Sequence, residues 1–157
     1  MAKVALGAQV PDFSLPGTGG ETFSVRAAAG KALVVYFYPK DMTSGCTRES
    51  QDFRDQYAAF LAAGALVVGV SRDSLASHEK FKSKEKLPFE LLSDADERIC
   101  KLFDVIREKS LYGRKYLGIE RSTFLIDRRG VLRQEWRKVK VPGHVQEVLA
   151  AVRALGR

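Results

Sequence analysis

Cysteine is scarce in this sequence: Cys46 and Cys100 are the two present. They stand far apart, so they build no disulfide framework, and they lack the spacing of zinc ligands. Histidine is equally rare, with His78 and His144. Neither falls in a partner pattern, no Ser-His-Asp order or metal cluster is present, and both are expected at the surface or at helix ends. No apolar run approaches the roughly 20 residues that span a bilayer. Residues Met1 to Gly7 carry no long apolar stretch, so no signal peptide is expected, and the expected location is cytoplasmic. Gly17-Thr18-Gly19-Gly20 is too short and too early for a phosphate-binding loop and reads as a turn. Repeats, linkers and low-complexity tracts are absent. A chain of 157 residues is therefore expected to be a single domain over 1–157, with a core large enough to need no staples.

Acidic residues are the minority among the charges, which leaves a formal net charge of +7. Such a balance can serve nucleic-acid binding. Here the basic residues are scattered, densest in Arg128-Arg129 and from Arg133 to Lys140, with acidic residues mixed in. The expectation is a solvated basic face with a mild attraction for anions, and no nucleic-acid partner.

What the sequence does contain centres on residues 32–46. The apolar run from Ala32 to Tyr38 reads as a buried strand. Pro39 ends it, because proline has no N–H for a ladder. Thr43 or Ser44 can cap a helix by accepting bonds from its free N–H groups. Cys46 then falls at the start of that helix, where the dipole and the unpaired N–H groups favour negative charge. That setting favours the thiolate, the reactive form of cysteine. A nucleophilic cysteine fits this description, and the competing reading is a small buried hydrophobe.

The remaining elements follow in order. Phe13–Leu15 and Thr22–Val25 flank the glycine-rich turn and form an N-terminal hairpin. Phe53, Tyr57, Phe60 and Leu61 recur at helical spacing on the cysteine-bearing helix, and Gly64 stops it. Leu66–Val70 is a second apolar strand, expected parallel to the first. Ser74 caps a helix to about Lys86, with Leu75, His78 and Phe81 on one side. Phe89–Leu92 is a short strand. Asp94-x-x-Glu97 resembles a capping box for a helix through Phe103. Residues 107–118 read as a loop near the site. Arg121–Ile126 and Val131–Trp136 flank a hairpin turn at Asp127-Arg128-Arg129-Gly130. Val145, Val148, Leu149, Val152 and Leu155 form a closing amphipathic helix. Alternating strands and helices with a terminal hairpin give an α/β class with a mixed central sheet.

Pro39-x-x-x-Thr43-x-x-Cys46 resembles the active-site motif of the peroxiredoxins, thiol peroxidases on a thioredoxin-like fold. The longer run Phe37-Tyr38-Pro39-Lys40-Asp41…Gly45-Cys46-Thr47-x-Glu49 is similar to their bacterioferritin-comigratory-protein (PrxQ-like) branch. Pro11-Asp12-Phe13 and Arg121-Ser122-Thr123-Phe124-Leu125-Ile126-Asp127 resemble two further family blocks, in the right order. The resemblance implies a peroxidatic role for Cys46 and a hydrogen bond from Thr43 to the peroxide. It also implies that Pro39 keeps water off the thiolate and that Glu49 orients Arg121. Arg121, a permanently charged planar fork of donors, is suited to favour the thiolate and hold the leaving oxygen. Phe37 and Tyr38 are expected to be core aromatics that shape the pocket wall.

The implied reaction is reduction of hydrogen peroxide and organic hydroperoxides with no cofactor and no metal. A thioredoxin, a glutaredoxin or a small thiol would serve as reductant, and a monomer with no membrane partner is expected. The sequence departs from many relatives in one respect: Gln51 stands where they carry a second cysteine five residues after the first. Cys100, in Ile99-Cys100-Lys101-Leu102-Phe103, is expected half-buried at the margin of a helix face. A one-cysteine mechanism is therefore expected, with Cys100 as resolving cysteine the alternative. A disulfide oxidoreductase would need Cys-x-x-Cys, whereas Cys46 is followed by Thr47-Arg48-Glu49. A Cys-x5-Arg phosphatase would need arginine at Asp52. The remaining alternative is a binding module with an inert Cys46.

Overall fold

The strand expected over 32–38 runs from Ala32 to Phe37 and forms the middle of a five-stranded sheet in the computed structural model, which describes residues 3–156. Met1, Ala2 and Arg157, at the ends of the expected domain, lie outside the described residues. The chain begins with an antiparallel pair, β1 (Ser14–Pro16) and β2 (Thr22–Ser24). The central strand β3 (Ala32–Phe37) leads to helix α1 (Ser44–Ala62) and strand β4 (Ala65–Ser71). Helix α2 (Leu75–Glu85), strand β5 (Leu91–Ser93) and the short helix α3 (Arg98–Leu102) follow. A second antiparallel pair, β6 (Ile106–Leu111) and β7 (Arg114–Ile119), precedes β8 (Ser122–Ile126), β9 (Leu132–Trp136) and helix α4 (His144–Leu155). The main sheet runs β5-β4-β3-β8-β9. β3, β4 and β5 are parallel, β8 is antiparallel to β3 and β9 is antiparallel to β8, so the sheet is mixed as expected.

Strand β3 is buried on both faces, which is why it reads as a continuous apolar run. Its alternate residues feed two separate cores. Leu33, Val35 and Phe37 pack with Phe13, Ile99, Cys100 and Phe103. Ala32, Val34, Tyr36 and Tyr38 pack on the other side with Cys46, Phe53, Phe60, Phe81 and Val148. Phe37 and Tyr38 therefore face opposite sides of the sheet, and of the two only Tyr38 shares a core with Cys46. Each fully buried large side chain contributes about 1.5–3 kcal/mol from area removed from water.

One glycine fixes how α1 meets the sheet. A Cβ at Gly69 in β4 would lie 2.7 Å from the Tyr36 ring. The space left by glycine admits that ring, which stacks on Phe53 at 4.6 Å. The Tyr36 hydroxyl hydrogen-bonds Ser50 at 2.9 Å. Two residues of α1 are thus registered against β3 and β4.

Several expectations need correction. Residues 107–118 are not a loop but the hairpin β6–β7. Its turn residues Tyr112 and Gly113 both have positive φ, 51° and 77°, the requirement of a two-residue hairpin turn. Tyrosine is an unusual occupant of such a position, so the signal was hidden. The helix expected from Asp94 through Phe103 is confined to Arg98–Leu102. Glu97 adopts φ 64° at its N-terminus, and its carboxylate pairs with Arg72 at 2.9 Å rather than closing a capping box. Leu61 is 46% exposed, because the buried arc of α1 runs through Phe53 and Phe60. Leu75 is likewise exposed while Phe81 is buried. Both histidines, expected at the surface or at helix ends, are buried; His144 does open α4, whereas His78 lies inside α2, and each has a polar partner described below. Ser74 caps α2 as expected, accepting from the Ser77 N–H at 3.1 Å.

Candidate active site

The connection from β3 to α1 is held at each step. The Tyr38 N–H still bonds the Val70 carbonyl at 3.1 Å, and half-buried Pro39 follows where the ladder stops. Thr43 is the N-cap of α1, and its carbonyl accepts the first helical bond, from the Thr47 N–H at 2.8 Å. The N–H groups of Ser44, Gly45 and Cys46 therefore have no partner within the helix. The Thr43 side chain does not cap: its hydroxyl donates to the Lys40 carbonyl at 2.9 Å. That is a correction to the expected side-chain cap. Among the described residues no hydrogen bond joins Thr43 to Cys46. Cys46 occupies the third helical position and is 1% exposed.

Arg121 reaches this point through sheet register. Ser122 pairs with Phe37 across β8 and β3, so the residue before β8 lies beside the residues after β3. Its Nη2 donates to Cys46 Sγ at 3.3 Å. Its Nη1 donates to Glu49 Oε1 at 2.7 Å. Cys46 and Glu49 are one turn apart on α1, and the planar guanidinium spans both. Gly45 makes room for it, since a Cβ there would come 3.1 Å from Arg121 Nη2.

Glu49 is fully buried, and its Oε2 has no hydrogen-bond partner among the described residues. Burial pushes its carboxyl up to about 7, against the opposing pull of Arg121. Burial disfavours the Arg121 charge, but Glu49 and Cys46 beside it outweigh that and leave the guanidinium raised above its ordinary value. Half-buried Lys109 on β6, whose ammonium donates to the Ile119 carbonyl at 2.5 Å, adds a second positive charge in the neighbourhood of Cys46 and Arg121, and burial followed by Arg121 lowers its ammonium. The arrangement presents a thiol to open helix N–H groups and a fixed cation. It suits nucleophilic attack in which charge grows on a leaving atom.

Sequence reasoning brought Cys46, Thr43, Pro39, Glu49 and Arg121 to one end of the sheet, and the structure gathers them there. It missed Gly45, Lys109 and the buried pair behind the loop, Asp41 and His78, whose Oδ2 and Nδ1 are 2.7 Å apart. The 107–118 segment was placed near the site, which its Lys109 satisfies. Asp41, Asp73 and His78 offer ligand atoms within 4.8 Å of one another. Those atoms are engaged in hydrogen bonds with each other and with Ser77, Ser71 and the Asp41 N–H. The other histidine, His144, bonds Thr123 at 2.8 Å; burial and the nearby Arg121 lower its imidazole to about 4.

Cys100 is fully buried rather than half-buried, in the core on the far side of the sheet from Cys46. Its N–H donates to Asp94 Oδ2 at 2.6 Å. Burial first, and then the Asp94 charge, raise its thiol far above the ordinary range. A cavity of about 390 Å³ lined by Val10, Lys31, Asp127 and Arg129 lies at the opposite end of β3, away from this chemistry.

Comparison with known proteins gives a consistent result. The AhpC/TSA family model matches residues 6–135. The chain is 52% identical over 153 residues to peroxiredoxin Bcp of Xanthomonas campestris pv. campestris, covering 98% of this chain and 96% of the relative. It is 49% identical over 150 residues to peroxiredoxin Bcp of Bacillus subtilis, covering 96% of each. Among solved structures, the Xanthomonas campestris bacterioferritin comigratory protein superposes with a TM-score of 0.90 at 50% identity, covering 100% of both chains. That structure was described in connection with the protein's alkyl peroxide reduction activity.

Proposed function

This chain belongs to the AhpC/TSA family and is a peroxiredoxin with a thioredoxin-like fold, and we propose that Cys46 is the residue at which it reduces peroxides. The observation that carries the assignment is the Cys46 thiol at the start of α1, 3.3 Å from Arg121 Nη2. The Cys46 thiolate attacks one oxygen of the substrate O–O bond. That oxygen stays on sulfur as a sulfenic acid, and the other leaves as hydroxide or alkoxide and takes up a proton. Arg121 and the open N–H groups of α1 stabilise the charge that grows on the oxygens. Glu49 orients Arg121, Thr43 hydrogen-bonds the peroxide, and Pro39 shields the sulfur from water. The sulfur carries the electrons, so the scheme uses no cofactor or metal.

Hydrogen peroxide and organic hydroperoxides are the proposed substrates. The alkyl peroxide reduction named for the Xanthomonas protein supports the second class. Cys46 is resolved by an external thiol: thioredoxin, glutaredoxin or a small thiol. One thiol forms a mixed disulfide with release of water, and a second thiol releases the Cys46 thiol. The opposite-side burial of Cys100 supports this one-cysteine scheme over a disulfide to Cys100, which would need the two Cα atoms within about 7 Å. A monomeric, cytoplasmic, single-domain protein completes the proposal, the monomer on the family resemblance. No helix among the described residues is long and apolar enough to cross a membrane.

Peroxide consumption with dithiothreitol, measured for the unaltered chain and for Cys46→Ser, tests the assignment. Consumption by the first and none by the second is expected. Removal of peroxide that survives the substitution would overturn it.

A further inference from the structure

Behind the loop that carries Pro39 and Thr43 lies a polar cluster that the reaction scheme does not use. His78, in α2, is 0% exposed. Its Nδ1 is 2.7 Å from Asp41 Oδ2, and its Nε2 is 2.9 Å from the Leu92 carbonyl oxygen. A carbonyl oxygen can only accept, so Nε2 carries a proton. Asp41 is also an acceptor here. Its Oδ1 accepts from the Tyr38 hydroxyl at 2.6 Å and its Oδ2 from the Ser77 hydroxyl at 2.8 Å.

Burial alone would raise the Asp41 carboxyl, but hydrogen bonds from His78, Tyr38 and Ser77 hold it below the ordinary range. Burial pushes Tyr38 well above its ordinary value, so its hydroxyl keeps the proton it donates. Asp41 is thus a carboxylate with no proton for Nδ1, and a bare nitrogen lone pair facing it at 2.7 Å would be repulsive. Both ring nitrogens must donate. The titratable groups around the pair are Tyr38 from the end of β3 and Asp73 from the β4–α2 connection; β5 contributes the Leu92 carbonyl.

The residue after Asp41 is Met42, with φ 65°. A left-handed conformation in an ordinary residue persists when its surroundings over-determine it. Asp41 supplies that constraint. Its N–H donates to Asp73 Oδ2 at 2.9 Å, and its carboxylate takes three donors. We propose that His78 is a positioning residue of the active-site loop. Bonded at both ring nitrogens, it holds the Asp41 carboxylate, and through it the Met42 turn that leads into Thr43, the N-cap of the helix bearing Cys46. This role rests on the peroxidase reading above.

Two measurements test it. The first is the 15N spectrum of the imidazoles at pH 7 in the unaltered protein, where His78 and His144 are the two histidines. His78, assigned by its contact with Leu92, should show both nitrogens protonated, and His144 should show one bare nitrogen. A bare nitrogen on His78 would overturn the proposal. The second is a double-mutant cycle of His78→Gln and Thr43→Val on the second-order rate with peroxide. His78→Gln should lower that rate roughly 10- to 100-fold, the scale of a small misplacement of reacting groups. Thr43→Val should then cost less in the His78→Gln background than alone, because contacting or linked sites are non-additive. Asp41→Asn serves in the same cycle if His78→Gln does not fold. Additive losses, or an unchanged rate in folded His78→Gln, would overturn the positioning role alone. An unaltered protein without peroxide consumption would overturn the peroxidase reading and this role with it.

Discussion

Glu49→Gln tests the electrostatics of the site through stability. The Glu49 side chain is fully buried, Oε1 accepts from Arg121, and Oε2 has no partner among the described residues. Burial lifts its carboxyl from 4.5 to about 7, although Arg121 opposes the change. The value in the folded state lies above that in the unfolded chain. The protonated group therefore favours the folded state fully below about pH 4.5, and this contribution is lost as the pH rises through about 7. At 1.36 kcal/mol per pH unit the swing is ~3 kcal/mol. Glutamine keeps the shape and does not titrate. Urea unfolding of both proteins from pH 4.5 to 8 isolates the effect, since all other groups cancel in the difference. The stability of the unaltered protein relative to Glu49→Gln should fall by ~3 kcal/mol across that range, with the urea slope unchanged. Parallel curves would mean that Glu49 stays ionised beside Arg121 throughout, and the argument from burial would be wrong.

Substitutions at three further positions probe other parts of the account. Thr43→Val should lower the second-order peroxide rate roughly 10²–10³-fold, the scale for one lost donor, while Thr43→Ser costs less; equal losses would assign the effect to the methyl group. Gly45→Ala places a Cβ 3.1 Å from Arg121 Nη2, so the peroxide rate should fall while circular dichroism shows an intact fold. An unchanged rate would mean that the arginine has room to move. Gly69→Ala drives a methyl group to 2.7 Å from the Tyr36 ring and should destabilise by about 1–3 kcal/mol or more, as overpacking does; urea midpoints would show it, and an unshifted midpoint would contradict the packing described.

What was legible in the sequence was local. The strand at 32–38, its end at Pro39 and the helix bearing Cys46 are written in consecutive residues, as are the Ser74 cap and the α4 face. Arg121 comes to Cys46 through the pairing of Phe37 with Ser122, a register that no local pattern encodes; family resemblance supplied it. The resemblance ties Glu49 to Arg121, but no local pattern shows its full burial, which goes with the arginine that precedes β8. His78 reads as a surface residue because its partner, Asp41, is remote in sequence and the two meet only when α2 packs behind the loop. The β6–β7 hairpin escaped notice because Tyr112 takes a conformation usually left to asparagine or glycine. Cys100 reads as marginal to its helix face because what buries it, the sheet, the N-terminal segment and Asp94, comes from outside α3.

The most direct test of the account is the intact mass of the protein after one equivalent of peroxide, without reductant. The account predicts a gain of one oxygen atom on Cys46, trapped by a sulfenic-acid probe and unaffected by Cys100→Ser. A loss of two hydrogens with a peptide linking Cys46 to Cys100, or an unchanged mass, would contradict it.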